Sequence, residues 1–492
     1  DGAVQVAACA GAQGRRPVRH GSRALGLQGA AMRGKRTDIR VIRAESKFVP
    51  LKAREPLKFG ATVLEAATYC LTEAEVENRA GRTAVGHGAI LLSDFWAFPE
   101  PHVPHPQREQ AMVRLTQQLC ERAADYRDYA HPIEIYLDLE KKLNGLAEEI
   151  SRKLGLRAAL PRLAALVSAS PLDAALHDAY GLANGTSTYA GYGPQCMTHD
   201  LSRYLGAGFK GKYINAYLRR RRSRYLDAFH LVGGLDTLWE ADIKAQAPRD
   251  SLPNSLEAWI ERDGLRCLKI KLKGTDLQWD LERTREVYRV ARAVHQRMGI
   301  SELHLSLDTN EQCESPDYMV EMLMKLKERD CDAYDCIRYI EQPTARDIRR
   351  HRHDMRGLAA LKPVVIDESL TSLKDFELAL QLHWSGIALK TCKGHTWTLL
   401  FAALAQERGI LCTFQDLSNP GISLIHSAGL AGRVRGVSAI EANSCQYFPQ
   451  ANLAAASVHP DVFRRRDGRV CLESLHGPGL GLRWKEITAE VA

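Results

Sequence analysis

Short apolar runs recur along the second half of the chain, and each is followed by a stretch with helical spacing. Eight of these runs are typical of strands: AFHLVGG near 230, CLKIKLKG near 270, LHLSLDTN near 306, RYIEQP near 340, PVVIDES near 366, GIALKTCK near 389, LCTFQD near 414 and GVSAIEAN near 440. The later runs lie roughly 23 to 34 residues apart, which is the length of a βα unit. The pattern therefore predicts an α/β fold, a (β/α)8 barrel of the TIM type, whose catalytic groups gather at the C-terminal ends of the strands.

The pattern before the barrel predicts a separate α+β unit. The stretch IRVIRAESKFVPL, which begins at Ile39, is β-like, and ATYCLTEAEVENRAGRTAVGHGAILL predicts a hairpin that turns at 78–81. Helical spacing follows from about residue 107 to residue 166. The expected organisation is a leader at 1–38, an α+β capping domain at 39–165, the barrel at 166–450 with an insertion near 188–224, and a C-terminal return to the capping domain at 451–492.

Composition adds few constraints on function. With 45% hydrophobic and 26% charged residues the chain is ordinary for a globular protein, and no window approaches 18 uninterrupted apolar residues, so no membrane span is predicted. The twelve cysteines have no regular spacing, which favours reduced thiols and a cytoplasmic protein.

The net charge of +8 is concentrated in the first forty residues. These contain eight Lys or Arg and two acids, and they show no helical or strand period. Residues 1–38 are therefore predicted to be a disordered basic leader, with an organellar leader as the alternative. Because the remaining chain is close to neutral, no nucleic-acid partner is inferred.

Charged side chains stand where several predicted strands end. The acids are Asp308, Glu341 and Asp367, and the lysines are Lys269, Lys271, Lys273 and Lys390. Because strand ends converge at one mouth of a barrel, the three carboxylates could not all stay ionised there without a cation. Ligands that offer only oxygen select a hard cation, so the pattern predicts Mg²⁺ or Mn²⁺. Each acid alone is more simply an N-cap, but charged residues at the same end of five consecutive units favour a site.

Five motifs in this order, LKIKLKG, LDTNEQ, YIEQP, VIDES and ALKTCKG, resemble the enolase superfamily. Within it they are most similar to the muconate-lactonizing-enzyme subgroup of the mandelate racemase/muconate lactonizing enzyme family. The stretch SPLDAALHDAYG resembles the helix that precedes the family's barrel. The resemblance implies a Mg²⁺-dependent enzyme that removes a proton α to the carboxylate of a small substrate through a stabilised enediolate. It also implies a homo-oligomer.

The resemblance assigns roles residue by residue. The family's three metal ligands are matched by Asp308, Glu341 and Asp367. Lys271 matches a general base on one face of the substrate, Lys269 its partner near the substrate carboxylate, and Lys390 the acid/base on the opposite face. A register of Lys271 and Lys273 is the alternative for the pair. The metal and the neighbouring cations are expected to lower the pKa of these lysines, so that one could act as a neutral base.

The residues that would choose the substrate depart from familiar patterns. Strand seven ends in Gln415 and Asp416, so the His–Asp pair of the acid-sugar dehydratases is missing, and strand eight carries Glu441-Ala442-Asn443 where dipeptide epimerases have Asp-x-Asp. Residues expected to contact the substrate are Asn310, Glu368, Lys393, Asp416, Glu441 and Asn443, together with the capping loops Pro56–Val63 and Gly86–Ala89.

Three functions remain open at this point. The resemblance favours a racemase or epimerase of an amino-acid derivative. The alternative is a lyase, dehydratase or cycloisomerase that acts on a carboxylate, including acid sugars. A non-catalytic metal-binding barrel is the remote third reading.

Overall fold

The N-terminal part of the computed structural model, which describes residues 34–489, is an antiparallel sheet covered by helices. Its strands are β1 (Ile39–Phe59), β2 (Thr62–Asn78) and β3 (Thr83–Leu92), in the order β1-β2-β3. Its helices are α1 (Asp94–Ala97), α2 (His105–Ala124), α3 (Pro132–Glu140), α4 (Leu143–Lys153) and α5 (Arg162–Ala183). Every second residue of β2 from Cys70 to Asn78 is buried, the period of a strand with one face on a core.

The predicted hairpin is confirmed, since β2 ends at Asn78 and β3 begins at Thr83. A second, longer hairpin joins β1 to β2 through Gly60, whose φ of 51° places it in the left-handed region that glycine adopts most easily. The tip of this hairpin reaches the mouth of the barrel, where Phe59 lines the cavities described below.

The predicted (β/α)8 barrel is confirmed. Its parallel strands are β4 (Tyr225–Val232), β5 (Cys267–Lys271), β6 (His304–Asp308), β7 (Ile337–Glu341), β8 (Val364–Ile366), β9 (Gly386–Leu389), β10 (Leu411–Phe414) and β11 (Ala439–Glu441). Consecutive strands pair from β4 to β10, and β11 pairs back onto β4. Between β10 and β11 the described residues form no ladder.

Helices surround these strands. They are α6 (Ser202–Leu205), α7 (Leu256–Asp263), α8 (Leu277–Met298), α9 (Pro316–Arg329), α10 (Cys331–Cys336), α11 (Arg356–Ala359), α12 (Leu373–Gln381), α13 (His395–Arg408), α14 (Ile422–Ala431), α15 (Ser444–Tyr447), α16 (Leu453–Val458) and α17 (Pro460–Phe463). Local sequence explains the ends of α7: the Ser255 hydroxyl accepts from the N–H of Ala258, and Gly264 ends the helix in the left-handed conformation.

The remaining segments pack onto this frame. Strand β12 (Arg469–Cys471) pairs antiparallel with β4, and helix α18 (Trp484–Ala489) brings Trp484 onto the ring of His87, 4.1 Å between centroids. Of the predicted leader, residues 1–33 lie outside the described residues, while Lys35 donates to the carbonyl of Pro194 at 2.8 Å.

Two general properties complete the fold. The eleven cysteines within 34–489 are all free thiols. Over the same span, no helix combines the length and the apolar character needed to cross a bilayer.

Candidate active site

Lys269 lies at the centre of the barrel mouth. Its Nζ is 2.7 Å from Oε1 of Glu341, 2.8 Å from Oε1 of Glu441 and 3.1 Å from Oδ2 of Asp308. The side chain is almost fully buried, and it points inward because alternate residues of β5 face the barrel interior. One ammonium group thus joins three carboxylates from three different strands.

Lys271 points the same way two residues further along β5. Its Nζ lies 2.5 Å from Oδ2 of Asp308 and 2.8 Å from Oδ1 of Asn310. Lys273 follows the end of the strand, stays partly exposed and pairs with Asp276 at 2.8 Å. The structure therefore brings Lys269 and Lys271 into the cluster and leaves Lys273 outside it.

Lys390 enters from the other side of the mouth. It follows β9, which stands opposite β5 in the ring of eight, and its Nζ lies 2.5 Å from Oδ2 of Asp367. Lys393 lies 3.0 Å from the second oxygen of the same carboxylate and also donates to the carbonyl of Asp367. Both lysines are buried. The two sides of the mouth thus carry separate lysine pairs, with the strands bearing Asp308, Glu341 and Asp367 between them.

Backbone geometry fixes the strand ends. Asn310 and Gln342, just after the acids of β6 and β7, have φ values of 43° and 32°, which residues other than glycine rarely adopt. The N–H of Asn310 donates to Oδ1 of Asp308 at 2.8 Å, and Oε1 of Gln342 accepts from the N–H of Asp367 at 2.9 Å. These contacts hold neighbouring strand ends in register at the site.

The electrostatics of the cluster are dominated by burial and by its own ion pairs. Burial raises the pKa of Glu341 well above its ordinary value, and repulsion from Asp308 adds to the rise. Burial also acts to raise the pKa of Asp308, but Lys271 and Lys269 outweigh it and hold that pKa below its ordinary value. The lysines therefore outweigh the effect of burial on the pKa of Asp308 but not on the pKa of Glu341.

The carboxylates of the cluster raise the pKa of two of the lysines, Lys269 and Lys390. Burial alone would lower the pKa of Lys269, but Glu341 and Glu441 raise it well above its ordinary value. Asp367 likewise outweighs burial and raises the pKa of Lys390. The lowering expected in the sequence analysis depends on a bound metal as well, so it stays a prediction.

The donor chemistry of the mouth fits a hard divalent cation. The buried carboxylates are Asp308, Glu341, Asp367, Glu368, Asp416 and Glu441, and the buried lysines are Lys269, Lys271, Lys390 and Lys393. When all are ionised, the acids exceed the lysines by two charges, which is the charge of Mg²⁺, and they offer only oxygen. Within residues 34–489 no three acidic, His or Cys side chains are already grouped as a metal site, because lysines engage the carboxylates.

Two cavities meet at the mouth. An inner one of about 50 Å³ is lined by Lys269, Lys271 and Lys390, and an outer one of about 570 Å³ opens beside it. Both are lined by Phe59 and Trp96 of the capping domain. These two aromatic side chains therefore form the partition between the outer space and the lysines.

Trp96 is a site residue that the sequence did not reveal. Its indole N–H donates to Oε1 of Glu368 at 2.9 Å, and Lys390 Nζ lies 4.8 Å from its ring centroid. An aromatic residue in the stretch SDFWAF, just after β3, carries no local signal of this role, because its partners are about 270 residues away.

The two capping loops expected to contact the substrate lie in different surroundings. Residues of Pro56–Val63 line the two cavities, as expected. The expectation for Gly86–Ala89 was wrong, because this part of β3 packs against α5: a Cβ on Gly88 would lie 2.0 Å from the carbonyl oxygen of Pro171. The glycines serve close packing of strand on helix.

The other candidate contact residues are all buried at the mouth. Asn310 bridges Lys271 and Glu368, with its Nδ2 donating to Glu368 Oε1 at 3.0 Å. Asn443 accepts from the N–H of Leu231 at 3.1 Å and so positions the end of β4. Gln415 was not among the residues expected to contact the substrate. Its side-chain amide donates to Oε2 of Glu341 at 2.6 Å.

Comparison with known proteins agrees with this architecture. Residues 251–488 match the family described as enolase C-terminal domain-like. The match covers 238 of the 492 residues, in the barrel part of the chain, and agrees with the resemblance of the sequence motifs to the enolase superfamily. A comparison with curated protein sequences gives no match.

Solved structures with this fold include three enzymes. The structures are a dipeptide epimerase from Enterococcus faecalis V583 with Mg and L-Leu-L-Tyr (16% identity, 90% of this chain and 99% of that chain, TM-score 0.56), a muconate lactonizing enzyme from Pseudomonas fluorescens with muconolactone (17%, 92% and 98%, 0.56) and an enolase from Bradyrhizobium with magnesium and mandelic acid (17%, 92% and 98%, 0.57). At these identities the likeness describes the fold.

Proposed function

We propose that this chain is a divalent-metal-dependent enzyme that removes a proton α to the carboxylate of a small substrate. Racemisation or epimerisation of an amino-acid derivative is the reaction that suits the site best. Lys271 and Lys390 would exchange protons with the α-carbon from opposite faces, and Lys269 would lie near the substrate carboxylate. Loss of a proton on one face and its return on the other inverts the carbon.

The observation that carries the proposal is the opposed placement of two buried lysines. Lys271 extends from β5 and Lys390 follows β9, four strands away in an eight-stranded ring. A planar carbanion between them would be open to a proton from either side. Since both lysines are buried, water would be excluded and would not compete for the proton.

We propose Asp308, Glu341 and Asp367 as the metal ligands, with Mg²⁺ as the metal and Mn²⁺ as the alternative. They offer only oxygen, and burial together with repulsion from Asp308 raises the pKa of Glu341, so a cation beside these two acids would be favoured. When bound, the metal would offset the negative charge that develops on the substrate carboxylate as the α-proton leaves. Two of the compared enzymes, the dipeptide epimerase and the Bradyrhizobium enolase, were solved with magnesium.

The test is α-proton exchange in D₂O. The full chain with Mg²⁺ would be incubated with N-acyl amino acids, dipeptides and acid sugars, and proton NMR would follow each α-proton signal. The proposal expects one class to lose its signal, with the loss abolished by EDTA and, for the stereoisomer that Lys390 would deprotonate, by Lys390→Ala. Lys273→Ala is the matched control, because this lysine lies outside the cluster, and it should exchange at the wild-type rate.

The mass of the product then separates the possible reactions. Epimerisation conserves every atom, whereas dehydration loses one water; cycloisomerisation also conserves mass and is identified by its product's NMR spectrum. Metal binding without exchange of any α-proton across the panel would contradict the proposed activity and favour a non-catalytic barrel.

A further inference from the structure

Asp416 lines the inner cavity and is only 6% exposed. Its Oδ1 accepts three hydrogen bonds, from the N–H of Leu417 at 2.8 Å and from the N–H and Nδ2 of Asn419 at 3.0 and 3.2 Å. Its Oδ2 is buried and has no hydrogen-bond partner among the described residues. Oδ1 therefore stabilises the loop, and Oδ2 remains able to accept a hydrogen bond from a ligand in the cavity.

The loop that carries Asp416 is fixed on the capping side. The N–H of Leu91 on β3 donates to Oδ1 of Asn419 at 3.0 Å, and the hydroxyl of Tyr69 on β2 donates to the carbonyl of Pro420 at 3.3 Å. Ser418 adopts a φ of 54°, which a residue other than glycine keeps only when its surroundings impose it. The carboxylate is thus held in place and cannot simply turn away to find a partner.

The surroundings of the free oxygen favour a positively charged ligand. On the capping side the inner cavity is lined by the leucines Leu57, Leu64 and Leu91, which offer no hydrogen-bond donor from their side chains. Glu441 adds to the effect of burial in raising the pKa of Asp416 to about 7, so a second acid lies close by. A cation placed here would be attracted by both carboxylates.

The net charge of the residues at the barrel mouth also favours a substrate that carries a positive group. When all six carboxylates and all four lysines are ionised, a divalent metal would balance them, so a substrate carboxylate alone would leave the buried site with one negative charge. A substrate that also carries an ammonium group would leave it neutral, which lowers the cost of burying the ligand.

We infer that Asp416 is a specificity residue, and that its Oδ2 binds an ammonium group on the substrate in the inner cavity. The inference rests on the proposed function, because it names the substrate class of that same site: a carboxylate that also bears an ammonium. The acceptor comes from the loop after β10. The Asp-x-Asp expected of dipeptide epimerases would instead lie on the eighth barrel strand, which is β11 here.

The test measures binding rather than turnover. Isothermal titration calorimetry of the full chain with Mg²⁺ would compare L-alanyl-L-phenylalanine with propionyl-L-phenylalanine, which differ only in that the second lacks the ammonium. The wild-type protein should bind the first at least about 10-fold more tightly. Asp416→Asn, which keeps the turn-forming Oδ1 and removes the charge, should reduce this preference to about 2-fold or less, and Asp276→Asn, at the exposed pair with Lys273 outside the site, should retain it.

Several results would overturn the inference. They are equal affinities for the two ligands in the wild-type protein, binding of neither ligand, or a preference that survives Asp416→Asn in a variant with wild-type circular dichroism. The exchange experiment in D₂O distinguishes this failure from failure of the proposed function. α-Proton exchange without ammonium preference retains the enzyme and removes the role of Asp416, whereas preference without exchange retains the ammonium site and removes the proposed reaction.

Discussion

The indole N–H of Trp96 donates to Oε1 of Glu368 at 2.9 Å, while Nζ of Lys390 lies 4.8 Å from the centroid of the same ring. The backbone carbonyl of Trp96 accepts from Arg346 at 3.0 Å, and Arg346 also pairs with Glu311 at the barrel mouth. One side chain of the capping domain thus contacts an acid and a candidate catalytic lysine of the barrel. The position of the capping domain is therefore coupled to that of Lys390.

Two substitutions of Trp96 should measure separately the effects of its contacts with Glu368 and with Lys390 on α-proton exchange. Trp96→Phe keeps a ring near Lys390 and removes the donor to Glu368, so we expect kcat for α-proton exchange to fall about 3- to 10-fold, as for loss of one ordinary hydrogen bond. Trp96→Ala also removes the cation–π contact and opens the partition, so a fall of about 100-fold is expected. Exchange rates from proton NMR in D₂O measure both effects.

Trp239→Phe is the matched control for this series. The indole N–H of Trp239 also donates to a glutamate, Glu286, at 2.7 Å, but the pair does not line either of the mouth cavities. Its loss should leave exchange unchanged. Equal effects of the two Phe substitutions would show that Trp96 matters only for stability.

The two lysines should differ in stereochemistry. Because Lys271 and Lys390 are on opposite sides of the mouth, each should take the α-proton from one stereoisomer only. Lys271→Ala should slow exchange from one isomer by at least about 1,000-fold and retain measurable exchange from the other. Lys390→Ala should have the reverse effect on the two isomers. Chiral chromatography should show no racemisation in either variant. Loss of exchange from the same isomer in both would contradict the assignment.

Metal binding should appear in stability even without a substrate. A cation that binds the native carboxylates stabilises the folded state by about 2.7 kcal/mol at a concentration 100 times its Kd, so thermal unfolding of the wild-type protein should move up with Mg²⁺ and back with EDTA. Asp308→Asn should abolish this shift. Asp276→Asn, at the exposed pair with Lys273, should retain it. An equal shift in all three proteins would place the metal elsewhere.

The architecture could be predicted from the sequence because its signals are local. Each barrel strand is a short apolar run, and the acids and lysines of the site directly follow such runs, so that strand ends and charges are read together. Lys269 and Lys271 are two residues apart on one strand, and alternation alone brings both inward. The eight strands and the mouth cluster follow from this reasoning.

The parts that could not be predicted depend on contacts between distant segments. Trp96 meets Glu368, and Leu91 meets Asn419, across more than 250 residues, and no period or spacing in the sequence links either pair. The raised pKa values of Lys269 and Lys390 also depend on packing, which decides how many carboxylates surround each ammonium group. The sequence contains the charges, but three-dimensional distances decide which of them pair.

Gly88 should be essential for packing of β3 on α5. A Cβ at this position would lie 2.0 Å from the carbonyl oxygen of Pro171 and 2.8 Å from the N of Ala175, and backbone cannot move aside cheaply. Gly88→Ala should lower the free energy of unfolding by about 1 to 3 kcal/mol. Gly145→Ala is the control: it lies in exposed α4 with nothing within 4 Å, and higher helix propensity should raise stability by about 1 kcal/mol. Urea unfolding measures both.

Buried histidines lie in a cluster between α5 and the barrel helices α13 and α14. The rings of His177 and His395 are 4.8 Å apart, and both ring nitrogens of His395 and of His426 lack a hydrogen-bond partner among the described residues. Burial lowers the pKa of His177 and His395 to about 3, and that of His426 well below its ordinary value. Asp173 lies 3.4 Å from His177, and Asp178 accepts from the N–H of His87; burial raises the pKa of each acid to about 6.

These shifts predict loss of stability in acid. The histidines of the unfolded chain bind protons as pH falls below about 6.5, while the folded ones stay neutral, so each should lower the free energy of unfolding by up to about 1.4 kcal/mol per pH unit between pH 6.5 and 4. Asp173 and Asp178 act in the opposite sense, because their raised pKa gives stability that is lost as pH rises from about 4 to 6. His426→Leu should therefore flatten the dependence measured by urea unfolding by up to one proton, and His351→Gln, on the exposed surface, should leave it unchanged. A slope that His426→Leu does not alter would contradict a neutral, buried His426.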